Sequence, residues 1–219
     1  MKLISVKLAR SIWYFQFSDL NPKGKSLFPV MHSISELYKF KSTPSPQDIM
    51  TENVAREFKG GEFTNDEGDT LAVKLTVYDW GLVADTISST HSSDAFLSSM
   101  LNRLSERFDL VRYNQLIKKI TYVSQLFVSM DKSLELINPK LKEISQYLTD
   151  NVIGHSNVPF QTDGISFFPD QIRPVNPTAF NIERALGTPF SENRYISNSA
   201  LQTDKHLELL GKLEELLGS

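Results

Sequence analysis

Hydrophobic and polar positions alternate along the first stretch of the chain. In an extended conformation over residues 3–17, one face would carry Ile4, Val6, Leu8, Ile12 and Tyr14. The opposite face would carry Trp13, Phe15 and Phe17, so the second half of the stretch is apolar on both sides. A period of two indicates a β-strand, and a strand with two apolar faces is buried between layers or contacts a partner.

Three further stretches show patterns typical of strands. Residues 55–63 indicate a weak strand, and the sequence Asn-Asp-Glu-Gly-Asp at 65–69 is typical of a turn. Alternation over 70–88, interrupted by Asp79-Trp80-Gly81, predicts a hairpin. Residues 116–130 place apolar side chains at alternate positions and predict another strand.

Apolar residues at helical spacing predict four helices. They cover residues 27–39, a segment that ends near 108, a segment that starts at Asn138-Pro139, and residues 204–217. Ser92 or Ser93 can cap the second helix, because a serine hydroxyl accepts a hydrogen bond from an N–H group of the first turn. Proline suits the first turn of the third helix.

The predicted elements follow one another as strand, helix, strand, hairpin, helix, strand and helix. If one strand of the hairpin region is left out, the order becomes β-α-β-β-α-β, the split βαβ or ferredoxin-like order. Strands with one polar face favour antiparallel pairing, with helices on the other face. The pattern therefore predicts an α+β fold, with a mostly antiparallel sheet, helices packed on one face, a loop-rich C-terminal arm and a terminal helix.

The character of the chain changes after about residue 153. Residues 154–202 carry half of the ten prolines and only short apolar runs. We therefore predict three parts, which are an α+β core domain over 1–153, a proline- and aromatic-rich arm over 154–202 and an amphipathic helix over 203–219. No internal repeat is evident in the sequence.

Composition excludes several classes of site. The chain has 219 residues and no cysteine, so disulfides, cysteine-ligated metals and thiol nucleophiles are excluded. A formal net charge of −3 gives no overall attraction to nucleic acid or to an anionic membrane. Charged residues interrupt the apolar N-terminus, which predicts neither a signal peptide nor a membrane span. We expect a cytoplasmic protein with no membrane partner and no cofactor.

Residues 19–26 end like a phosphate-binding loop. Gly24, Lys25 and Ser26 match the end of the G-x-x-x-x-G-K-[ST] pattern, in which glycines let backbone N–H groups surround phosphates. However, Asp19 occupies the position of the first glycine, and Pro22 has no N–H group. A turn followed by a helix is therefore favoured, and these three residues are the phosphate candidates.

His91 and the residues after it are candidates for an active site. Ser92, Ser93 and Asp94 follow His91, so a base, nucleophiles and an acid are close in sequence. A catalytic triad is defined by geometry, however, and serines before a helix are ordinary caps. An enzyme whose active site is assembled from distant residues is one alternative function, with His91, Asp94 and Asp79 as the candidates.

Basic residues cluster within residues 103–119. They are Arg103, Arg107, Arg112, Lys118 and Lys119, and only Glu106 and Asp109 oppose them. Such a patch can contact phosphates. The solvated face of an amphipathic helix has the same composition, which is the favoured interpretation. Nucleic-acid binding through this patch is the other alternative function.

The aromatic residues of the arm favour protein binding. A disordered linker is poor in aromatic residues, so these side chains should pack against something. Aromatic and arginine anchors are enriched at interfaces, and a leucine-rich terminal helix is a natural docking element. We predict a non-enzymatic subunit of a multi-protein complex that binds another protein, or a second copy of itself, through the arm and the helix. The predicted partner-binding residues are Phe167, Phe168, Arg173, Arg184, Phe190, Arg194, Tyr195, Leu210, Leu213 and Leu217.

Overall fold

Eight strands and five helices make up the described part of the fold. The structure is a computed structural model, and it describes residues 1–51, 53–152, 159–168 and 180–218. The strands are β1 (Lys2–Tyr14), β2 (Arg56–Thr64), β3 (Thr70–Tyr78), β4 (Gly81–Thr86), β5 (Lys119–Ser129), β6 (Gly164–Phe167), β7 (Phe180–Arg184) and β8 (Arg194–Ser199). The helices are α1 (Phe28–Leu37), α2 (Pro46–Met50), α3 (Thr90–Phe108), α4 (Leu141–Asn151) and α5 (Thr203–Gly218).

The strands form one sheet in the order β2-β3-β4-β1-β5-β8-β7-β6. The pairs β1 with β4, β2 with β3, β3 with β4, β6 with β7 and β7 with β8 are all antiparallel. The predicted α+β class with a mostly antiparallel sheet is confirmed. The element order differs from the split βαβ order because all three strands between α1 and α3 are kept.

The same order of elements occurs twice along the chain. The first set is β1-α1-β2-β3-β4-α3 and the second is β5-α4-β6-β7-β8-α5, with the short α2 as the additional element of the first. In the sheet, the first four strands lie in the order β2-β3-β4-β1 and the last four in the equivalent order β6-β7-β8-β5. The fold therefore contains a repeat of topology that is not evident in the residues themselves.

The contacts divide the chain into two compact units. The N-terminal unit comprises Val6–Ser124 and Ala200–Thr203, and the C-terminal unit comprises Met1–Ser5, Gln125–Ser199 and Asp204–Ser219. The division into three parts that we predict from the sequence is not tested by these units. Its boundary near residue 153 also lies outside the described residues, so that division stays a prediction.

In the N-terminal unit, α1 and α3 pack on the same face of the strands. One hydrophobic cluster contains Val30 and Ile34 of α1, Phe96 and Leu97 of α3, and side chains from β1 to β4. The strand residues in this cluster alternate along the chain, as Val73, Leu75 and Val77 do in β3. The period-two and period-3.6 patterns of the sequence thus meet in one core.

In the C-terminal unit, the core lies between α5 and the strands. Its buried apolar side chains include Leu126, Val128, Leu134, Phe180, Ile182, Tyr195, Leu210 and Leu217. Three of the strands, β6, β7 and β8, lie within residues 154–202, where the sequence pattern predicts little regular structure. This part of the chain therefore contributes to the sheet as well as containing loops.

Helix α3 begins earlier than the sequence pattern indicates. Its N-cap is Ser89 rather than Ser92 or Ser93, and the Ser89 hydroxyl accepts a hydrogen bond from the Ser92 N–H at 3.1 Å. Thr90 and Thr203 hold the added turn, because the N–H of each donates to the hydroxyl of the other at 3.0 Å. Capping is thus set by a tertiary contact that the local sequence does not reveal.

Candidate functional site

Helix α4 presents an apolar stripe to solvent. None of its eleven residues is buried. Leu141, Ile144, Tyr147 and Leu148 are 38%, 58%, 66% and 39% exposed. Their spacing places them on one side of the helix, which is the arrangement of a helix that packs against other protein. We call these four residues the α4 stripe.

The equivalent helix of the first repeat is packed. Helix α1 occupies the same place in the element order, and its Val30, Met31 and Ile34 are each no more than 3% exposed. Helices of comparable length therefore bury their apolar side in one repeat and leave it accessible in the other. From the sequence, the apolar spacing predicts an amphipathic helix here. It does not indicate whether the apolar side of that helix is covered by the rest of the chain.

Hydrogen bonds hold the chain on both sides of α4 within the C-terminal unit. Before the helix, the N–H of the buried Leu134 donates to the Tyr195 hydroxyl at 3.2 Å. At its end, the Phe160 N–H donates to the Thr149 hydroxyl at 3.0 Å. A short 3₁₀ turn, Leu134–Ile137, links Leu134 to α4 and adds two exposed apolar side chains, Leu136 and Ile137. The accessible apolar surface thus belongs to an anchored segment.

Several predicted partner-binding residues lie in the core of the C-terminal unit, and their role in binding stays a prediction. Tyr195 and Leu210 have no exposed surface, and Leu217 is also buried. Arg184 is buried as well, with its guanidinium 4.6 Å from the centre of the Phe190 ring and 5.4 Å from that of Tyr195. In this conformation these side chains stabilise their own unit.

Other predicted partner-binding residues are accessible. Phe167 and Phe168 are 60% and 75% exposed, and Arg194 is exposed and paired with Glu192 at 2.8 Å. Phe190 and Leu213 are partly buried. Arg173 lies outside the described residues. The two phenylalanines are therefore the best placed of the predicted set to contact another molecule.

The phosphate candidates form a turn that uses its own N–H groups. The Gly24 N–H donates to the Asn21 carbonyl at 3.0 Å, and the Lys25 N–H donates to the Asn21 side chain at 3.1 Å. The Lys25 ammonium donates to the Phe108 carbonyl at 2.9 Å, at the C-terminus of α3. Ser26 is exposed. This geometry fits a turn that satisfies the end of a helix better than a phosphate cradle.

A cavity brings two of these residues together with Asp79. Its volume is about 560 Å³, and its lining includes Asn21, Gly24, Lys25, Met50, Arg56 and Asp79. Arg56, which the sequence does not single out, is buried and donates to Asp79 at 2.7 Å. Burial would raise the pKa of Asp79, but hydrogen bonds from Arg56 and from the Asn53 N–H outweigh it, so the pKa is lowered. The carboxylate is thus held ionised by its neighbours.

Asp94 is a structural carboxylate in this fold. It accepts hydrogen bonds from the Ser11 hydroxyl, from the Trp13 indole at 2.8 Å and from the Tyr122 hydroxyl at 3.1 Å. His91 is exposed at the start of α3. Asp79 has different partners, Arg56 and Asn53, so the structure does not assemble the three catalytic candidates around one group.

The basic residues of the 103–119 patch are all exposed. Arg107 donates to the Ser33 hydroxyl at 2.9 Å and lies over the Phe108 ring, and the Lys119 ammonium is 5.8 Å from the centre of the Tyr14 ring. Near the end of α3, Asp109 forms ion pairs with Lys23 and Lys25. Both ammonium groups lower the pKa of Asp109, and Lys23 has the larger effect. Part of this basic surface is therefore engaged within the chain.

His206 is a fully buried histidine that is not among the candidate site residues predicted from the sequence. It has no exposed surface, its Nε2 lies 2.8 Å from the Ser197 hydroxyl, and the Phe180 ring packs edge-on at 5.9 Å. Burial lowers its pKa to about 4. Its position one turn before Leu210 on the apolar side of α5 is the signal that could have identified it as a core residue.

Neither a metal centre nor a membrane span is found in the described ranges. No group of three or more acidic or histidine side chains among the described residues could hold a metal ion. The acidic residues of 65–69 surround a turn in which the Asn65 side chain accepts from the N–H groups of Glu67 and Asp69. No helix within the described residues has the length and apolar character needed to cross a bilayer.

Comparisons with known proteins show a distant structural likeness. No protein-family model and no curated protein matches the chain. Among solved structures, that of Methanococcus jannaschii TBP is similar, with 12% sequence identity and a TM-score of 0.47. The match covers 99% of this chain and 97% of that chain.

Proposed function

We propose that this protein is an interaction subunit that binds a partner protein through the α4 stripe. The observation that carries the proposal is the exposure of an entire amphipathic helix, whose four large apolar side chains are between 38% and 66% exposed. A contiguous apolar surface of this kind is typical of a protein-binding site. A helix that lies in an apolar groove of its partner is the recognition mode that fits these side chains.

The expected contribution to binding is substantial. Burial of an exposed leucine, isoleucine or tyrosine side chain contributes about 1 to 2 kcal/mol. Four such residues on an anchored helix supply several times this amount, while little chain entropy is lost because the helix is already formed. The partner we expect is therefore a protein with an apolar groove, and not a charged polymer.

The two alternative functions have weaker support. For nucleic-acid binding through the 103–119 patch, Arg107 already donates to Ser33 and Lys119 lies over the Tyr14 ring. For catalysis, Asp94 receives three hydrogen bonds from groups that fix α3 to the strands.

The substitution Ile144→Asp tests the docking proposal. It places a charge at the centre of the α4 stripe, and Leu186→Asp is the matched control because Leu186 is 97% exposed and lies outside α4. The free energy of unfolding of both variants should lie within about 0.5 kcal/mol of the wild-type value, because surface substitutions change it little. We expect Ile144→Asp to weaken the complex at least about tenfold and Leu186→Asp to leave it unchanged.

The measurement begins with affinity purification of the full chain from its native host and quantitative mass spectrometry of the three forms. A protein retained by the wild type and by Leu186→Asp, but lost from Ile144→Asp, is then titrated directly by calorimetry. Unchanged affinity of Ile144→Asp for every partner would contradict the proposal. A large loss of stability in that variant would also contradict it, because the stripe would then be packed within the chain.

A further inference from the structure

The two edges of the sheet are constructed differently. Strand β2 lies at one end of the strand order and β6 at the other. An edge strand exposes unpaired N–H and C=O groups, which pair readily with a strand of another molecule. Proteins prevent this with charged side chains, bulges or a covering segment.

All three protections are present at the β2 edge. The chain from Tyr38 to Ser42 covers it, with hydrogen bonds between Ser42 and Lys59 in both directions and from the Glu62 N–H to the Tyr38 carbonyl. The register between β2 and β3 shifts between Phe58 and Gly61. The exposed side chains of Lys59 and Glu62 add charge. This edge is closed to another strand.

The β6 edge has none of these protections among the described residues. Residues 164–168 have the sequence Gly-Ile-Ser-Phe-Phe and carry no charge. In the described part of the chain, β6 pairs on one side only, with β7. Phe167 packs near the Phe180 ring at 5.9 Å yet is 60% exposed, and Phe168 is 75% exposed.

We propose that β6 pairs in antiparallel orientation with β6 of a second copy of this chain. A two-fold axis at Ser166 places Phe167 opposite Ile165 of the partner copy, an aromatic and β-branched pair of the kind that stabilises sheets. The same axis places Phe168 opposite Gly164 of the partner copy, so no two of the large exposed rings lie directly opposite each other. No like charges meet, because the segment is uncharged.

The two-fold symmetry of this arrangement favours pairing with a second copy over pairing with an unrelated peptide. A charged edge would oppose itself across a two-fold axis, and like charges directly opposite are destabilising. An isologous contact uses the same surface on both copies, so the uncharged β6 edge meets another uncharged edge, with Phe167 opposite Ile165. The inference uses an edge of the C-terminal unit that the docking proposal does not involve.

Sedimentation equilibrium of the full chain tests the inference. We expect the mean mass to rise from 24.9 kDa toward twice that value as the concentration increases from about 1 to about 100 μM. Phe168→Lys introduces a charge at an exposed position of the edge and should keep the chain monomeric over this range. Leu186→Lys is the matched control and should dimerise like the wild type.

The possible results separate this inference from the docking proposal. A single 24.9 kDa species at every concentration would overturn edge pairing and would leave the α4 stripe to its own test. Dimerisation that persists in Phe168→Lys but is lost in Ile144→Asp would also overturn it, and would identify a second copy as the partner of the α4 stripe. Loss of the dimer only in Phe168→Lys supports pairing through β6.

Discussion

At the scale of single residues, His206 shows how burial changes the chemistry of a side chain. The ring is fully buried between the strands and the body of α5, with Ser197 and Phe180 as neighbours. Removal of the imidazole from water penalises its charged form, so its pKa falls from 6.5 to about 4. The folded protein therefore holds a neutral histidine at pH 7, while the unfolded chain binds a proton near pH 6.5.

This difference predicts a loss of stability in mild acid. Between pH 6.5 and 4 the unfolded state binds more protons than the folded state, so the free energy of unfolding decreases as the pH falls. The contribution of His206 is fully present above pH 6.5, and up to about 3 kcal/mol of it is lost by pH 4. Urea unfolding of the wild type and of His206→Gln at several pH values measures the effect. The stability difference between the two proteins should change over this window, and a constant difference would contradict the prediction.

At the scale of elements, two glycines predict opposite effects of the same substitution. Gly81 begins β4, where an added Cβ would lie 2.0 Å from the backbone oxygen of Trp13, so Gly81→Ala should cost about 3 kcal/mol or more. Gly211 is in the middle of α5 and an added Cβ would contact nothing within 4 Å. Gly211→Ala should therefore stabilise the chain by about 0.5 to 1 kcal/mol, through the better helix propensity of alanine. Chemical denaturation of both variants gives the two signs, and destabilisation by Gly211→Ala would contradict the second.

The same scale explains which elements could be predicted from the sequence. Helices α1, α3 and α5 and the hairpin of β3 and β4 have clear apolar periodicity, because most of their inward side chains are hydrocarbon, with buried polar exceptions such as Ser93 of α3 and His206 of α5. Strand β8 was not predicted, since its inward positions include Ser197 and Ser199, which are fully buried. The Ser197 hydroxyl can be buried because it donates to the Asn181 carbonyl at 2.8 Å, a partner supplied by β7. A strand whose polar side chains are satisfied by a neighbouring strand has no local signal.

The candidate sites divide in the same way. The sequence indicates Gly24, Lys25 and Asp79 separately, but only the fold brings them to one cavity beside Arg56. The amphipathic pattern of α4 is visible in the sequence, whereas its exposure depends on what the rest of the chain leaves uncovered. Residue types and periods are local properties, and convergence and exposure are properties of the folded chain.

At the scale of the whole molecule, the same order of elements occurs twice, but among the described residues the helix and the edge strand are covered in the first repeat and exposed in the second. In the first repeat, α1 is packed into a core and the β2 edge is covered by the chain from Tyr38 to Ser42. In the second repeat, α4 has no buried residue and β6 has no described strand on its outer side. The two surfaces that we propose for association therefore both lie in the C-terminal unit.

The continuity of β1 and β5 predicts that the two units unfold together. Strand β1 has its first residues in the C-terminal unit and the remainder in the N-terminal unit, and β5 also contributes to both.

Both tryptophans, Trp13 and Trp80, belong to the N-terminal unit, so tryptophan fluorescence reports on that unit alone. Ile182→Ala removes a fully buried side chain from the C-terminal unit and should cost about 2 to 4 kcal/mol. Because neither unit can lose a shared strand alone, the fluorescence midpoint and the far-ultraviolet circular dichroism midpoint should decrease together, with Leu186→Ala as the exposed control. An unchanged fluorescence midpoint beside an earlier circular dichroism transition would show instead that each half of a shared strand can unfold separately.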